Sequence, residues 1–321
     1  MQQEVFQDKN ESVRFYENRF QHGYMGFWSD FEQKRIFDLI GEMNLPAAGK
    51  LLDFGCGRGI FTRVLSQALP GWQIFGCDIS QTAVENARLI NPQGTFYVIG
   101  QPELMKHQFD FIHTHHVLEH VFDIHAAVGE IVSLAAPVCK MLHTLPCNHI
   151  GSLEQRVASR ISGGINPEYG TFFFEDRAHL RRLSAEETAA LFASANFNGE
   201  GAAYANQYHG AIKWISESNL RLVLNFTKLA RVKSTKDGVQ QFMLRLYLVF
   251  TWFCFFAGSL FEKQDRGKMH FVRKSFQTIS FILFFWLALP VRWFLIRRAM
   301  SEWKNNRHSM NGSELFLILA R

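Results

Sequence analysis

The sequence lacks the paired cysteine spacing of a disulfide framework or a zinc site. Its five cysteines stand far apart, at positions 56, 77, 139, 147 and 254. Scattered cysteines predict free thiols in a reducing cytoplasm, without structural zinc. Residues 1–8 are polar and acidic, and they lack the basic and apolar regions of a secretory signal peptide. We therefore expect a cytoplasmic protein.

The sequence also lacks the G-x-G-x-x-G fingerprint of dinucleotide-binding proteins. In its place, three glycines alternate with other residues directly after an apolar run: Gly55, Gly57 and Gly59. A periodic apolar segment, 60–69, follows at once. The pattern predicts a strand, a tight turn and a helix, which open a nucleotide-binding α/β sheet. Glycine lets such a turn form and lets a ligand approach the backbone closely.

An acid two positions before the first glycine makes the pattern more specific. Asp53 and the three glycines resemble motif I of the class I S-adenosylmethionine (SAM) methyltransferases, D-x-G-x-G-x-G. The resemblance implies SAM as the cofactor, with the turn, including Cys56, against its methionine part. NAD and a turn without a ligand are the alternatives. Asp78, which ends the next predicted strand, would accept both ribose hydroxyls of either cofactor, so it does not discriminate.

Three further residues complete the predicted cofactor site. Ile79 follows Asp78, and His115 follows the fourth predicted strand, 109–113. After the third predicted strand, the SAM family commonly has Gly-Asp-Ala, whose Asp meets the adenine amino group. Here Gln101 stands in place of that Asp, and its side-chain oxygen would accept the same hydrogen bond.

The stretch from Val117 to Val121 resembles the "vLEHv" motif of ubiquinone-type small-molecule methyltransferases. In a doubly wound sheet it would lie beside the ligand, because it follows a strand end. The candidates for taking a proton from an acceptor are His116, Glu119, His120 and His149. The ubiquinone enzymes have Glu-x-x-Glu-His here, implicated in divalent metal binding. His116 replaces the first Glu, so His116, Glu119 and His120 would form such a site, but many relatives use no metal and we predict none.

The resemblance covers residues 50–200 and, in outline, 312–321. It implies a Rossmann-like α/β fold, with a seven-stranded sheet whose last strand is antiparallel. We predict an N-terminal helical cap over 1–49, a SAM-binding core over 50–210, an insertion over 211–311 and the last core strand over 312–321.

The insertion differs in charge from the rest of the chain. Residues 211–311 hold 17 Lys and Arg against 5 Asp and Glu, a net charge of +12, whereas the rest of the chain is −7. Two uncharged apolar stretches, 246–261 and 275–291, lie within it. They are shorter than the roughly twenty residues of a spanning helix, so we expect an apolar helical hairpin that dips into one leaflet. The alternative is a soluble helical pair that covers the sheet or a dimer interface. We expect no nucleic-acid partner, because the aromatics lie in uncharged runs rather than among cations.

The sequence as a whole predicts a SAM-dependent methyltransferase at the cytoplasmic face of a membrane. We expect it to O-methylate a lipidic or lipid-linked acceptor. One alternative is a soluble methyltransferase of a small metabolite or sugar, with the insertion used for homo-oligomerisation. The other is a non-enzymatic membrane scaffold with a degenerate methyltransferase fold.

Overall fold

A computed structural model describes residues 8–147, 151–162, 179–260 and 271–321. The described strands are β1 (Lys50–Phe54), β2 (Gln73–Asp78), β3 (Thr95–Val98), β4 (Phe109–His115), β5 (Ala135–Pro146), β6 (Asn198–Ala205) and β7 (Glu314–Ala320). They form one sheet in the order β3-β2-β1-β4-β5-β7-β6. The first five strands are parallel, whereas β7 runs antiparallel to both β5 and β6. This arrangement confirms the predicted Rossmann-like sheet with an antiparallel last strand.

Helices join and flank these strands. The described helices are α1 (Lys9–Gln21), α2 (Asp30–Glu42), α3 (Ile60–Ala68), α4 (Gln81–Ile90), α5 (Ile124–Leu134), α6 (Leu153–Ser159), α7 (Ala185–Ala193), α8 (His209–Glu217), α9 (Leu220–Phe226), α10 (Thr235–Gly258) and α11 (Phe271–Asn306). Side-chain caps fix several of their starts. Ser80 caps α4, Asp123 caps α5, and Ser184 forms a reciprocal capping box with Glu187 at the start of α7.

The sheet is buried on both faces because consecutive apolar residues point to opposite sides. Leu52 and Ile112 belong to the core on the side of α5 and α7. Leu51 and Phe111 belong to the core on the side of α2 and α3. The strand order reverses between β1 and β4, so their carboxyl ends open a crevice where ligands bind in sheets of this kind.

Helices α8 to α11 make up the described part of the predicted insertion. Phe253 of α10 lies against Phe284 of α11, and Phe256 lies against Phe276, so the two helices run antiparallel. Residues 246–258 of the first predicted apolar stretch lie in α10, and the second stretch, 275–291, lies in α11. In the described chain, Thr235–Gly258 and Lys274–Asn306 are long and apolar enough to cross a membrane by length and composition. Only 33% and 17% of their most apolar windows are buried within the protein.

A carboxylate near the end of α11 ties the insertion to the core. Glu302 is 7% exposed and accepts hydrogen bonds from the backbone N–H groups of Tyr208, His209 and Gly210, at 2.8 to 3.2 Å. These groups start α8, where the helix dipole favours a negative charge. The next residue, Trp303, packs on Phe316 of β7. Both ends of the insertion therefore meet at one place on the sheet.

A buried network of ion pairs links α8, α2 and β7. Lys213 Nζ lies 3.0 Å from Glu32 and 2.8 Å from Glu217, and Arg35 Nη1 lies 2.9 Å from Glu314. The side chains of Lys213, Glu32, Arg35 and Glu314 are each at most 4% exposed. Buried charges are costly unless each has a partner, so the removal of one leaves another uncompensated.

We therefore expect Arg35→Met to destabilise the protein by about 3–5 kcal/mol, because Glu314 and Glu32 each lose one of their two buried cations. Urea unfolding followed by circular dichroism measures the change. The control is Lys34→Met on the same helix, whose side chain is 58% exposed and pairs with Asp38 at the surface. It should cost less than about 1 kcal/mol. Equal unfolding midpoints for the two variants would contradict the role of the network.

Candidate active site

One cavity lies at the carboxyl ends of β1 and β4 and holds most of the residues predicted for the site. Its walls come from α1 and the segment after it, the glycine turn, the ends of β2, β3 and β4, and the start of α5. The sequence-predicted residues that line it are Asp53, Gly55, Cys56, Gly57, Asp78, Ile79, His115, His116 and His120. Gly59, Gln101 and Glu119 are outside this lining. His149 lies outside the described residues.

The glycine turn takes a backbone path that other residues adopt with strain. Gly55, Gly57 and Gly59 have φ angles of 74°, 51° and 79°. A Cβ on Gly55 would lie 2.4 Å from Val117, and one on Gly59 would lie 2.5 Å from Asn91. A Cβ on Gly57 would instead lie 3.6 Å from the Phe20 ring, which is itself part of the cavity wall. Gly55 and Gly59 thus permit packing, whereas Gly57 leaves room for a ligand.

Asp53 supports the glycine turn through contacts with α3 and β4. Its carboxylate accepts a hydrogen bond from Thr62 at 2.5 Å and contacts His113 Nδ1 at 2.8 Å. The residue is 1% exposed. Both carboxylate oxygens therefore join β1 to α3 and β4, and this geometry gives Asp53 a positioning role beside the cofactor.

Asp78 lies at the end of β2 with its carboxylate at the cavity wall. It accepts hydrogen bonds from the N–H groups of Gly57 at 2.9 Å and Ser80 at 3.0 Å. Burial raises the pKa of Asp78 to about 6, although these N–H groups favour the carboxylate. Lone pairs remain for two ribose hydroxyls, so the residue suits the predicted contact.

The end of the cavity beside β2 and β3, where the resemblance implies that adenine binds, is apolar. Ile79 and Ile99 follow β2 and β3 and line it. Gln101 turns elsewhere, because its side-chain oxygen accepts a hydrogen bond from Val98 N–H at 3.1 Å. The adenine contact predicted for Gln101 therefore needs a change of rotamer and stays a prediction.

Helix α1 and the segment after it cover the glycine turn and supply aromatic side chains. Tyr16, Tyr24 and Trp28 line the cavity. Glu17 holds the helix in place by accepting hydrogen bonds from the hydroxyls of Ser80 and Thr82 at the start of α4. Burial raises the pKa of Glu17, but these hydrogen bonds outweigh burial and leave it below its ordinary value.

His116 lies between two carboxylates. Its Nδ1 lies 3.0 Å from Glu119, and its Nε2 lies 3.2 Å from Glu314. Burial alone would lower the pKa of His116, but hydrogen bonds to Glu119 and Glu314 raise it to about 9. Both ring nitrogens then donate, so the imidazolium has no lone pair with which to take a proton. Its stabilising effect is complete below pH 6.5 and is lost as the pH rises through about 9.

His115 differs from its neighbour in charge. Its ring stacks on Phe61 with centroids 3.8 Å apart and meets Trp28 edge-on. Burial, together with the nearby His116 and His113, lowers the pKa of His115 well below 6.5. A neutral ring of this kind forms a wall of the cavity and is a weak base.

Glu119, His120 and His179 form a second cluster. Glu119 is fully buried, and its carboxylate lies 3.9 Å from His120 Nε2. Burial would raise the pKa of Glu119, but the hydrogen bond from His116 and the adjacent His120 lower it to about 2. The ring of His120 contacts Tyr16 and His179 edge-on. His120 thus faces the cavity with a carboxylate behind it.

The same cluster is one of two in the described chain whose ligand atoms lie close enough to hold a metal ion, the other being His115, His116 and Glu314. One ligand atom each from Glu119, His120 and His179 lies within 4.8 Å of the others. Two imidazoles and one carboxylate suit a divalent transition metal. His179 takes the place that the sequence gave to His116, whose nitrogens both face carboxylates. Metal binding stays a hypothesis for these residues.

Two residues beside the site escaped the sequence reasoning. Glu314, the first residue of β7, holds His116, Arg35 and the Asn206 amide. Arg35 lies on the buried face of α2. The sequence signal for Glu314 is its position directly before the apolar run of β7, because a carboxylate buried there needs a cation beside it.

The sheet order, the glycine turn after β1 and the carboxylate at the end of β2 define a class I SAM-dependent methyltransferase. A family model described as a methyltransferase domain matches residues 27–224. The match covers more than half of the chain, and the protein belongs to this family, with SAM as its cofactor. The narrower resemblance to the ubiquinone-type enzymes stays a prediction.

Individual relatives are distant. The chain is 39% identical over 51 residues to ribosomal RNA small subunit methyltransferase C of Pseudomonas aeruginosa (strain UCBPP-PA14), covering 16% of this chain and 15% of that protein. It is 30% identical over 69 residues to trans-aconitate 2-methyltransferase of Variovorax paradoxus (strain S110), covering 22% and 27%. The matches thus span less than a third of either relative.

Among solved structures, magnesium protoporphyrin IX methyltransferase from Synechocystis PCC 6803 has a TM-score of 0.46 and 19% identity, over 63% of this chain and 95% of that one. A likeness at this level carries no argument about the acceptor.

We expect the affinity for S-adenosylhomocysteine to fall at acid pH, because ribose hydroxyls need the Asp78 carboxylate. With a pKa of about 6, binding should be constant above pH 7 and about tenfold weaker at pH 5. Isothermal calorimetry measures this dependence. Asp78→Asn should bind weakly at every pH, whereas Glu130→Gln, at the same cavity, should keep the dependence. Identical pH profiles for wild type and Asp78→Asn would exclude this role.

Alanine at two glycines should separate packing from ligand binding. Gly55→Ala should lower stability by about 1–3 kcal/mol more than Gly57→Ala, because only its Cβ meets Val117. Gly55→Ala combined with Val117→Ala should recover part of the loss. Gly57→Ala should mainly weaken S-adenosylhomocysteine binding. Thermal unfolding and calorimetry report the two effects, and a reversed pattern would contradict the assignment.

Proposed function

We propose that the protein transfers the methyl group of SAM to a hydroxyl oxygen of a lipidic or lipid-linked acceptor, at the cytoplasmic face of a membrane. SAM supplies a methyl group on a sulfonium sulfur, which a nucleophile displaces in line. The protein has to place the acceptor oxygen and remove its proton. The exposed apolar surface of α10 and α11 is the observation that carries the lipid part of the proposal.

His120 is the residue best placed to accept the proton. His116 is held as an imidazolium by two carboxylates, and His115 has a pKa well below its ordinary value. His120 lies at the cavity wall with Glu119 at 3.9 Å, where the carboxylate stabilises the imidazolium that proton transfer creates. Glu119 acts through His120, because it lies outside the cavity lining.

The lipid part rests on apolar side chains that the protein leaves in contact with water. On α11, Ile282 is 64% exposed and Trp286 is 63% exposed. On α10, Val239 and Met243 are each 59% exposed. Contiguous apolar surface of this kind marks a partner or a membrane. The basic balance of the insertion favours a membrane with anionic lipids.

A second copy of the chain is the competing occupant of these apolar faces. It would give a soluble, oligomeric methyltransferase of a small metabolite or sugar. Within the described chain, no residue of α10 or α11 lines the cavity. If the insertion binds a membrane, it would therefore act by bringing the cavity to the acceptor. Size-exclusion chromatography without detergent distinguishes a dimer from a membrane-bound monomer.

We expect His120→Gln to lower kcat by about 10²–10⁴-fold while S-adenosylhomocysteine affinity and stability stay unchanged. His116→Gln is the matched control: it leaves two buried carboxylates facing each other and should lower stability. His179→Gln and EDTA separate the metal alternative. If His120 acts as a base, neither should abolish turnover, whereas loss of activity with both would assign the cluster to a metal.

The acceptor can be sought directly. Lipid and glycolipid extracts are incubated with the protein and methyl-labelled SAM, and products are read by mass spectrometry. The proposal expects a labelled, base-stable product in the organic phase that Asp78→Asn fails to make. Label confined to water-soluble products would favour the soluble alternative. Failure to bind S-adenosylhomocysteine at all would favour a scaffold without activity.

A further inference from the structure

Two segments far apart in sequence lie side by side, one before the insertion and one inside it. The end of α6 and the linker between α9 and α10 join through an isolated β-bridge between Ile161 and Val232. Ser162 N–H donates to the Arg231 carbonyl at 2.7 Å, and Lys233 N–H donates to the Arg160 carbonyl at 2.9 Å. Backbone contacts on both sides of the bridge fix the relative position of these segments.

This pairing collects positive charge on one surface. The basic cluster consists of Arg156, Arg160, Lys233 and Lys236. Arg156, Lys233 and Lys236 are exposed, and Arg160 is half-buried. Burial and the neighbouring Arg156 lower the pKa of Arg160, which reflects the repulsion between the two cations. Asp237 is the acid that acts on Arg160, and its carboxylate already accepts a hydrogen bond from Ser234.

An apolar stripe begins one turn after the basic cluster. It consists of Val239, Phe242, Met243, Leu246 and Phe250 of α10, which are 40% to 59% exposed. Their spacing places them along one face of the helix. Gln241 and Leu248 lie on the other face and are fully buried. Lys236 lies one turn before Val239 on α10, so the stripe begins beside this member of the basic cluster.

We propose that the basic cluster and the apolar stripe together form a surface that binds an anionic lipid bilayer. The cations contact headgroup phosphates, while the stripe enters the boundary between headgroups and acyl chains. This inference rests on the proposed membrane association and states which side chains contact which part of the lipid. It also adds Arg156 and Arg160, which belong to α6 and its end rather than to the insertion.

The charge pattern selects a bilayer over the other occupants. In a two-fold dimer whose axis passes near the start of α10, the basic cluster of one protomer would approach that of the other, and like charges would repel. A nucleic-acid groove needs aromatic side chains interleaved with cations for stacking. Here the cations and the stripe are segregated, as in helices that lie in a membrane interface.

Co-sedimentation with vesicles tests the inference. One set contains phosphatidylcholine alone, and the other contains phosphatidylcholine with phosphatidylglycerol. The full-length protein should bind the anionic set more tightly, and salt should weaken that binding. Each neutralised cation should reduce the partition coefficient about fivefold, so Arg156→Gln, Lys233→Gln and Lys236→Gln together should reduce it about a hundredfold.

The matched control removes the same charge elsewhere. Arg14→Gln, Arg63→Gln and Lys106→Gln together change three exposed cations of the cap and the core, and they should leave vesicle binding unchanged. Phe242→Ser with Leu246→Ser should weaken binding to both vesicle sets. S-adenosylhomocysteine affinity is measured for every variant, and its retention shows that the fold is intact.

The outcomes separate this inference from the function on which it rests. Equal binding to both vesicle sets, unaffected by the basic triple variant, would overturn the inference and leave membrane association standing. No binding to either set would overturn both. The single variant Arg156→Gln should already show the fivefold loss, and an unchanged partition would remove α6 from the surface. Tight binding of a transfer RNA probe that depends on the same cations, without vesicle binding, would assign the surface to nucleic acid.

Discussion

The ion pair between Arg35 and Glu314 is the contact on which the rest of the site depends. Arg35 comes from the cap and Glu314 from the last strand, and both are almost fully buried. The pair extends to Lys213 of α8 through Glu32, and to His116 at the cavity through Glu314. Charges of alternating sign thus connect three parts of the chain. Because no member can be solvated in place, each fixes the position of the next.

The network also assigns different tasks to similar side chains. Two adjacent histidines, His115 and His116, differ in charge, neutral and cationic, because one faces aromatic rings and the other faces carboxylates. Glu119 is occupied by His116 at 3.0 Å, yet it remains close to His120. The cavity therefore contains a fixed cation, a neutral ring and a candidate base within a few residues of sequence. Packing sets these differences, and residue type alone does not.

Local sequence predicted the parts of the site that are built locally. The glycine spacing after Asp53 predicted the turn. The apolar run within 312–321 resembled the last strand of the family, and that resemblance supplied its antiparallel direction. Pairings between distant residues could not be predicted, since they depend on the folded arrangement. His113 meets Asp53, and Glu314 meets Arg35, only after the sheet has formed. Gln101 is the converse case, because a local backbone hydrogen bond competes with the ligand contact that the family resemblance implies.

The hydrogen bonds from the start of α8 to Glu302 affect the entropy cost of closing the long connection between β6 and β7. Strands β6 and β7 are neighbours, although residues 206–313 separate them. Extending a flexible connection from about six residues to about a hundred costs roughly 2–3 kcal/mol, because closure entropy grows only with the logarithm of length. Glu302 and Trp303 bring the end of that connection back beside Gly210 and Phe316 before β7 begins. For β7, the effective connection is therefore the short one closed at Gly210 and Glu302. Loops beyond α8 can change in length with little effect on the closure entropy, whereas α8 itself is fixed by Lys213 in the buried ion-pair network.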